Sequence, residues 1–149
     1  MIRTAVLLEP EARIAQLLCP MLSPEKSRLR LPRPGEKLCC SLLIVSPEWT
    51  RPAPDTRCRI LLTPSDRSSL LRTVRADYAV SFGVSQKASI SFSSRTESAL
   101  TLSIRREIPT LWGQRLEMQE IPMHCAAAGT EEMLCACAAR LLMEGIPEA

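Results

Sequence analysis

The chain has 149 residues, is 46% hydrophobic and 3% aromatic, and carries a formal net charge of +3. That length fits one domain, 1–149, whose core must be mainly aliphatic and needs no disulfide or metal staples. The charge is too small to imply nucleic acid by itself, and no apolar run approaches the roughly 20 residues of a membrane helix, so a soluble, cytoplasmic protein is expected.

In chain order, residues 4–8 read as a first strand. Pro10 then suits the first turn of a helix whose stripe is Ile14, Leu17 and Leu18 and which stops near Pro20. No small-residue cleavage site follows the short apolar run after Ile2-Arg3-Thr4, so no signal peptide is expected. Residues 23–37, rich in proline and basic side chains, read as a connection with room for a short strand at 29–31. The run from Leu38 to Val45 is continuously apolar and bounded by turn signals, as a strand buried on both faces would be. Pro47, Pro52 and Pro54 make a loop that holds Trp49, and 59–62 is a second buried strand. Thr63-Pro64-Ser65-Asp66 looks like the approach to a helix over 68–74, and 78–82 is a third buried strand.

Period-two alternation then takes over. Ile90 and Phe92 alternate with Ser89, Ser91 and Ser93; Leu100, Leu102 and Ile104 alternate with Thr101, Ser103 and Arg105. Polar breaks at 94–98 and at Trp112-Gly113-Gln114 supply turns, so 77–123 is predicted to hold a small antiparallel meander of three or four strands. A final helix is predicted over 130–144, capped by Thr130, with Glu131 and Glu132 in the turn that the helix dipole favours for negative charge. Its stripe is Leu134, Cys137, Ala138, Leu141 and Leu142, and Gly145 ends it. The fold class is α/β: a mostly parallel β/α part over 1–75, then the meander and C-terminal helix over 76–149.

From Ile60 to Pro147 the order of pieces resembles the second half of the central, ATP-binding domain of Mur ligases. These are the ATP-dependent peptide synthetases of the bacterial cell wall, related to folylpolyglutamate and cyanophycin synthetases. The family's buried strand with an Asn-x-Asp-Asp-like turn is matched by Leu61-Leu62-Thr63-Pro64-Ser65-Asp66. Its strand ending Phe-Gly is matched by Phe82-Gly83, and its alanine at the start of the side strands by Ala88. Its Gly-x-His-Asn-x-x-Asn followed by an alanine-rich helix is matched by Gly129 to Cys135, Ala138-Ala139 and Gly145-Ile146. The departures fall on the chemistry. The family's His, Asn and Asn positions hold Glu131, Glu132 and Cys135, and the first Asn of the earlier turn is Thr63. No Gly-x-x-x-x-Gly-Lys-Thr/Ser loop exists among the five glycines, and that loop supplies the N–H groups and the lysine that hold phosphates. The resemblance therefore implies the family's frame without its ligase activity.

Other constellations read as structural. Seven cysteines at 19, 39, 40, 58, 125, 135 and 137, odd in number and without a CxxC, are expected to be reduced and buried. Cys135 and Cys137 lie about 200° apart around a helix and cannot share one zinc ion with His124 and Cys125. Adjacent His124 and Cys125 point to opposite faces of an extended segment, so they make no catalytic pair. Glu117 and Glu120 read as surface charge. Residues 1–75 hold 13 Lys/Arg against 7 Asp/Glu, and 76–149 hold 6 against 9. A solvated basic face explains this; an anionic partner is the alternative.

No catalytic residue, metal site or cofactor is predicted. The expected function is that of a non-catalytic, Mur-ligase-like domain that serves as a protein-interaction or accessory module. The alternative is a small-molecule or nucleotide site in the crevice near Thr63, Asp66 and Gly83, where open α/β sheets bind ligands. RNA binding through the first-half arginines finds no aromatic stacking run to support it.

Overall fold

The computed structural model describes residues 2–147. Eight strands form one mixed sheet: β1 (Arg3–Leu8), β2 (Ser27–Arg30), β3 (Leu38–Val45), β4 (Thr56–Pro64), β5 (Val74–Phe82), β6 (Ile90–Arg95), β7 (Ala99–Ile104) and β10 (Gln119–His124). Their order is β10-β7-β6-β5-β4-β3-β1-β2. The ladder is parallel from β2 to β6 and antiparallel from β6 through β7 to β10. A separate hairpin pairs β8 (Ile108–Pro109) with β9 (Arg115–Leu116) around Gly113, whose φ of 83° the turn requires. Two helices complete the chain, α1 (Arg13–Leu18) and α2 (Thr130–Glu144).

The expected meander is present as β6, β7 and β10, but it is continuous with the parallel sheet. Phe82 pairs with Ile90 in parallel, so β6 starts at the level where β5 ends. The antiparallel strands therefore overhang the carboxyl ends of the parallel ones, and Ser89 ties the seam by donating its N–H to Ser81 Oγ at 3.0 Å.

Both helices cover one face. Ala5, Leu7, Leu42, Ile44, Ile60, Leu62, Val80, Phe82 and the inward residues of β7 and β10 share a cluster with α1 and α2. The opposite face is covered by loops. Val6, Leu8, Leu43, Val45 and Leu61 pack with Ala53, Trp49 and Leu71 from connections 46–55 and 65–73. Ten extended residues reach roughly 33 Å, enough to return along a nine-residue strand without a helix. The prolines of 46–55 suit that extended path. The two loops also bind each other, Ala53 N–H to Leu70 O at 2.8 Å and Thr73 Oγ1 to Ala53 O at 3.0 Å.

Pairing lapses at Ser41, Arg59 and Asp77, aligned across three strands, and the side-chain alternation slips there by one residue. Leu38, Cys58 and Val74 thus face the loops although Leu42, Ile60 and Val80 face the helices.

Four local expectations need correction. The helix over 68–74 is a single 3-10 turn, Ser68–Leu70; no side chain caps it, and Val74 is already paired with Thr56 in β5. Thr130 does not cap α2: Gly129 holds that position, and Thr130 Oγ1 accepts a hydrogen bond from Arg95. The cysteines are not uniformly buried, because Cys19 and Cys39 are exposed. The strand expected near 29–31 begins earlier, at Ser27.

Helix α2 is buried from Met133 to Ala139 and again from Leu141 to Met143. Its last carbonyls are met by donors distant in sequence: Leu111 N–H to Leu142 O at 2.9 Å, and Trp112 Nε1 to Met143 O at 2.6 Å. Glu144, only 2% exposed, accepts the Ser23 N–H at 2.7 Å and lies 3.6 Å from Arg140 Nε. Glu144→Ala leaves that Ser23 donor unpaired and takes the carboxylate away from the largely buried Arg140, which keeps only its bonds to the Met21 and Gly145 carbonyls. A loss of about 3 kcal/mol in urea unfolding is expected.

Glu36 is another well-held carboxylate. The Arg30 guanidinium grips it at 3.0 and 2.9 Å and the Arg33 N–H donates to it, which pulls its pKa from 4.5 to about 2. A depressed carboxyl pKa favours the folded state above the unfolded value and loses that effect as pH falls through the folded one. Glu36→Gln should therefore be less stable than native at neutral pH, and the gap should close between pH 4.5 and about 2. Unfolding curves at a series of pH values read this directly.

Candidate functional site

The overhang of β6 and the start of α2 enclose a crevice of about 290 Å³ at the carboxyl ends of β4 and β5. Its apolar lining is Pro47, Pro64, Phe82, Phe92 and Leu134, and its polar rim carries Ser65, Asp66, Arg67 and Glu131. Gly83 narrows it. The residue sits at φ 152°, and a Cβ there would lie 3.3 Å from Ser65 Oγ, so the turn leaving β5 can press against the turn leaving β4. A second cavity of about 270 Å³ shares Pro47, Thr130 and Glu131 and adds Glu48 and Glu132.

The rim is predominantly acidic. Asp66 has an 84% exposed side chain and pairs with Arg67 at 3.2 Å, while Arg67 also donates to Pro47 O at 2.7 Å. The one rim cation is therefore engaged with the protein itself. Glu131 and Glu132 sit at the positive end of the α2 dipole, which favours carboxylates in that turn. Arg95 holds the same end from the β6 side, through Thr130 Oγ1 and Ala128 O.

The structure brings Asp66, Gly83 and Glu131 to one crevice and Glu132 to its neighbour. Thr63 stays apart: it is buried in β4 with its hydroxyl donated to Pro64 O at 3.1 Å. Cys135 lies wholly buried in α2, where burial, with the Glu9 carboxylate nearby, pushes its thiol far up. Asp66, on the approach to the helix expected over 68–74, makes an ion pair with Arg67.

Glu9 was not singled out in the sequence. It lies between β1 and α1, and its Oε2 and Oε1 accept the Ile14 and Ala15 N–H groups at 3.0 Å each. Those are the unpaired donors of a helix start, which elsewhere serve as an anion site. Here the chain supplies its own anion. An acidic residue between a strand and Pro10 was the available signal.

Burial holds the Cys40 and Cys58 thiols in their protonated form. Cys40 and Cys58, partners across β3 and β4, are pushed up to about 12 and about 11. Cys137 is raised too, by hydrogen bonding with Cys125 and by burial. His124 is exposed on β10 while Cys125 is buried, so the pair points apart as expected. Among the described residues no group of three or more His, Cys, Asp and Glu converges on a point, and no helix is long and apolar enough to cross a membrane.

No family model, curated protein or solved structure matches the chain.

Replacing Glu9 by alanine removes the acceptor of both α1 donors. A destabilisation of about 1 kcal/mol is expected. Faster amide exchange at Ile14 and Ala15 than at core amides of β3 should accompany it. Unchanged exchange there would mean that another group holds the helix start.

Proposed function

We propose that the chain is a non-catalytic, Mur-ligase-like α/β domain that holds a segment of a partner protein in the crevice at the carboxyl end of its sheet. The acidic rim around an apolar floor carries this reading. Asp66 and Glu131 border Phe82, Phe92 and Leu134, with Glu48 and Glu132 close beside them. Such a site suits an apolar side chain flanked by lysine or arginine, and it opposes a triphosphate by like-charge repulsion. Val84 on the rim is 70% exposed and adds apolar surface at the mouth.

The order of elements supports the Mur-ligase-like part of the proposal. A parallel strand ends in Pro64-Ser65-Asp66, its neighbour ends in Phe82-Gly83, antiparallel strands follow, and an alanine-rich helix closes the chain. Glu9 on the α1 donors supports the loss of nucleotide chemistry, because the position that would hold phosphate is taken. By the same resemblance the partner belongs to cell-wall synthesis.

A photo-crosslinking residue in place of Val84 tests the site in cells that make the protein. One discrete protein adduct is expected, and Asp66→Lys with Glu131→Lys should weaken its formation at least tenfold, about 1.4 kcal/mol. The opposing outcome is nucleotide binding in the same place. Magnesium–ATP shifting the amide resonances of 64–67, 83–85 and 129–131 would overturn the proposal in favour of a nucleotide site.

A further inference from the structure

The opposite end of the sheet carries a different charge. A cleft of about 570 Å³ opens at the amino ends of β3, β4 and β5, lined by Lys37, Arg57, Arg72 and Arg75 with Asp55 and two threonines. All four cations are exposed. Among the described residues, none of the four forms an ion pair within 4.0 Å. Asp55 is the only acid in the lining, so the cleft holds four positive charges against one negative.

The ladder register makes this more than a scatter of surface arginines. Arg57 is the direct partner of Arg75 across β4 and β5. Directly opposed residues on adjacent strands project to the same face with their Cβ atoms roughly 5 Å apart, where like charges repel. An exposed like-charge pair of this kind destabilises the sheet unless something anionic sits over it. Asp77 lines the adjoining cavity with both arginines, yet forms no ion pair with either. The protein does not neutralise the pair.

We infer that this cleft is a binding site for a phosphate chain, a di- or triphosphate group carried free or on a small ester. Guanidinium groups present planar, paired donors that match phosphate oxygens, and three of the four cations are arginines. The excess of three positive charges matches the three to four negative charges of such a chain, whereas a phosphodiester backbone offers one charge per nucleotide. No aromatic side chain lines the cleft among the described residues, so nothing there stacks on a base. The site lies at the opposite end of the parallel strands from the acidic crevice and is independent of what occupies it.

Calorimetric titration with inorganic tripolyphosphate tests the inference on the whole chain. One-to-one binding is expected, weakening as salt rises from 50 to 200 mM. Arg57→Gln with Arg75→Gln should reduce affinity at least tenfold, while Glu131→Lys at the other end leaves it unchanged. Thermal melts show whether the double variant is folded. Relief of like-charge repulsion should let it melt no lower than native without ligand, and tripolyphosphate should raise the native midpoint more than the variant's. ATP binding as tightly as tripolyphosphate places recognition in the phosphate chain alone, and tighter binding assigns a nucleotide as its source. No binding of either, or binding that the double variant retains, would overturn the site. A short oligonucleotide binding more tightly than both would overturn the ligand class in favour of nucleic acid.

Discussion

The structure depends on the burial of α2. A helix that is apolar on nearly every side cannot lie on a surface; it must be enclosed. Sheet, α1 and the 108–116 hairpin supply the enclosure, and α1 packs against α2 as well as against the strands. Alanines at 136, 138 and 139 keep the helix narrow enough to sit close to its neighbours. Its buried carbonyl end then needs donors; Leu111 and Trp112 provide them from the side, and Arg140 reaches Gly145 O from within the helix. Glu144 and Arg140 carry the same anchor to the segment between α1 and β2. With one end fixed in this way, the other is fixed too. The start of α2 comes to rest beside the carboxyl ends of β4 and β5, and the crevice is a consequence of that placement.

A parallel sheet separates its two ends chemically, because every strand begins at one and finishes at the other. In this chain the residues that finish β4 and begin α2 are acidic, while those that begin β3, β4 and β5 are basic. Four of the thirteen basic residues in the first half of the sequence thus meet at one end. With a Debye length of about 8 Å at physiological salt, the two ends act on their surroundings independently. Whatever is attracted to one is indifferent to the other.

Much of the frame was legible because burial on both faces leaves a plain mark. Leu42 to Val45 and Ile60 to Leu62 could be nothing but inner strands, and the stripe from Leu134 to Leu142 fixed a helix. The error at 68–74 has a physical cause. Leu70, Leu71 and Val74 have helical spacing, but Leu71 packs under the sheet from a crossover loop and Val74 from the first residue of β5, so tertiary burial produced the same spacing without a helix. The join between β5 and β6 was hidden for a different reason: one pair, Phe82 with Ile90, decides it, and no periodicity reports a single pair. The crevice was half legible. Asp66 and Gly83 were placed by their position at strand ends, whereas Thr63 alternates inward by one residue. The Arg57–Arg75 opposition could not be read at all, since it exists only once the register between two strands is known.

Glu9 bears most directly on how the start of α1 is held. A helix start directed at a ligand carries unsatisfied N–H groups whenever the ligand is absent, and water meets them at some loss of order. A carboxylate tethered five residues before Ile14 reaches the same donors with no translational freedom to lose. It needs no close backbone approach, so the turn can dispense with glycine and take Pro10 instead. Filling the position also removes the attraction that a phosphate would feel there and adds a negative charge beside the buried Cys135. The Glu9 carboxylate therefore stabilises α1 with an anion that belongs to the chain itself.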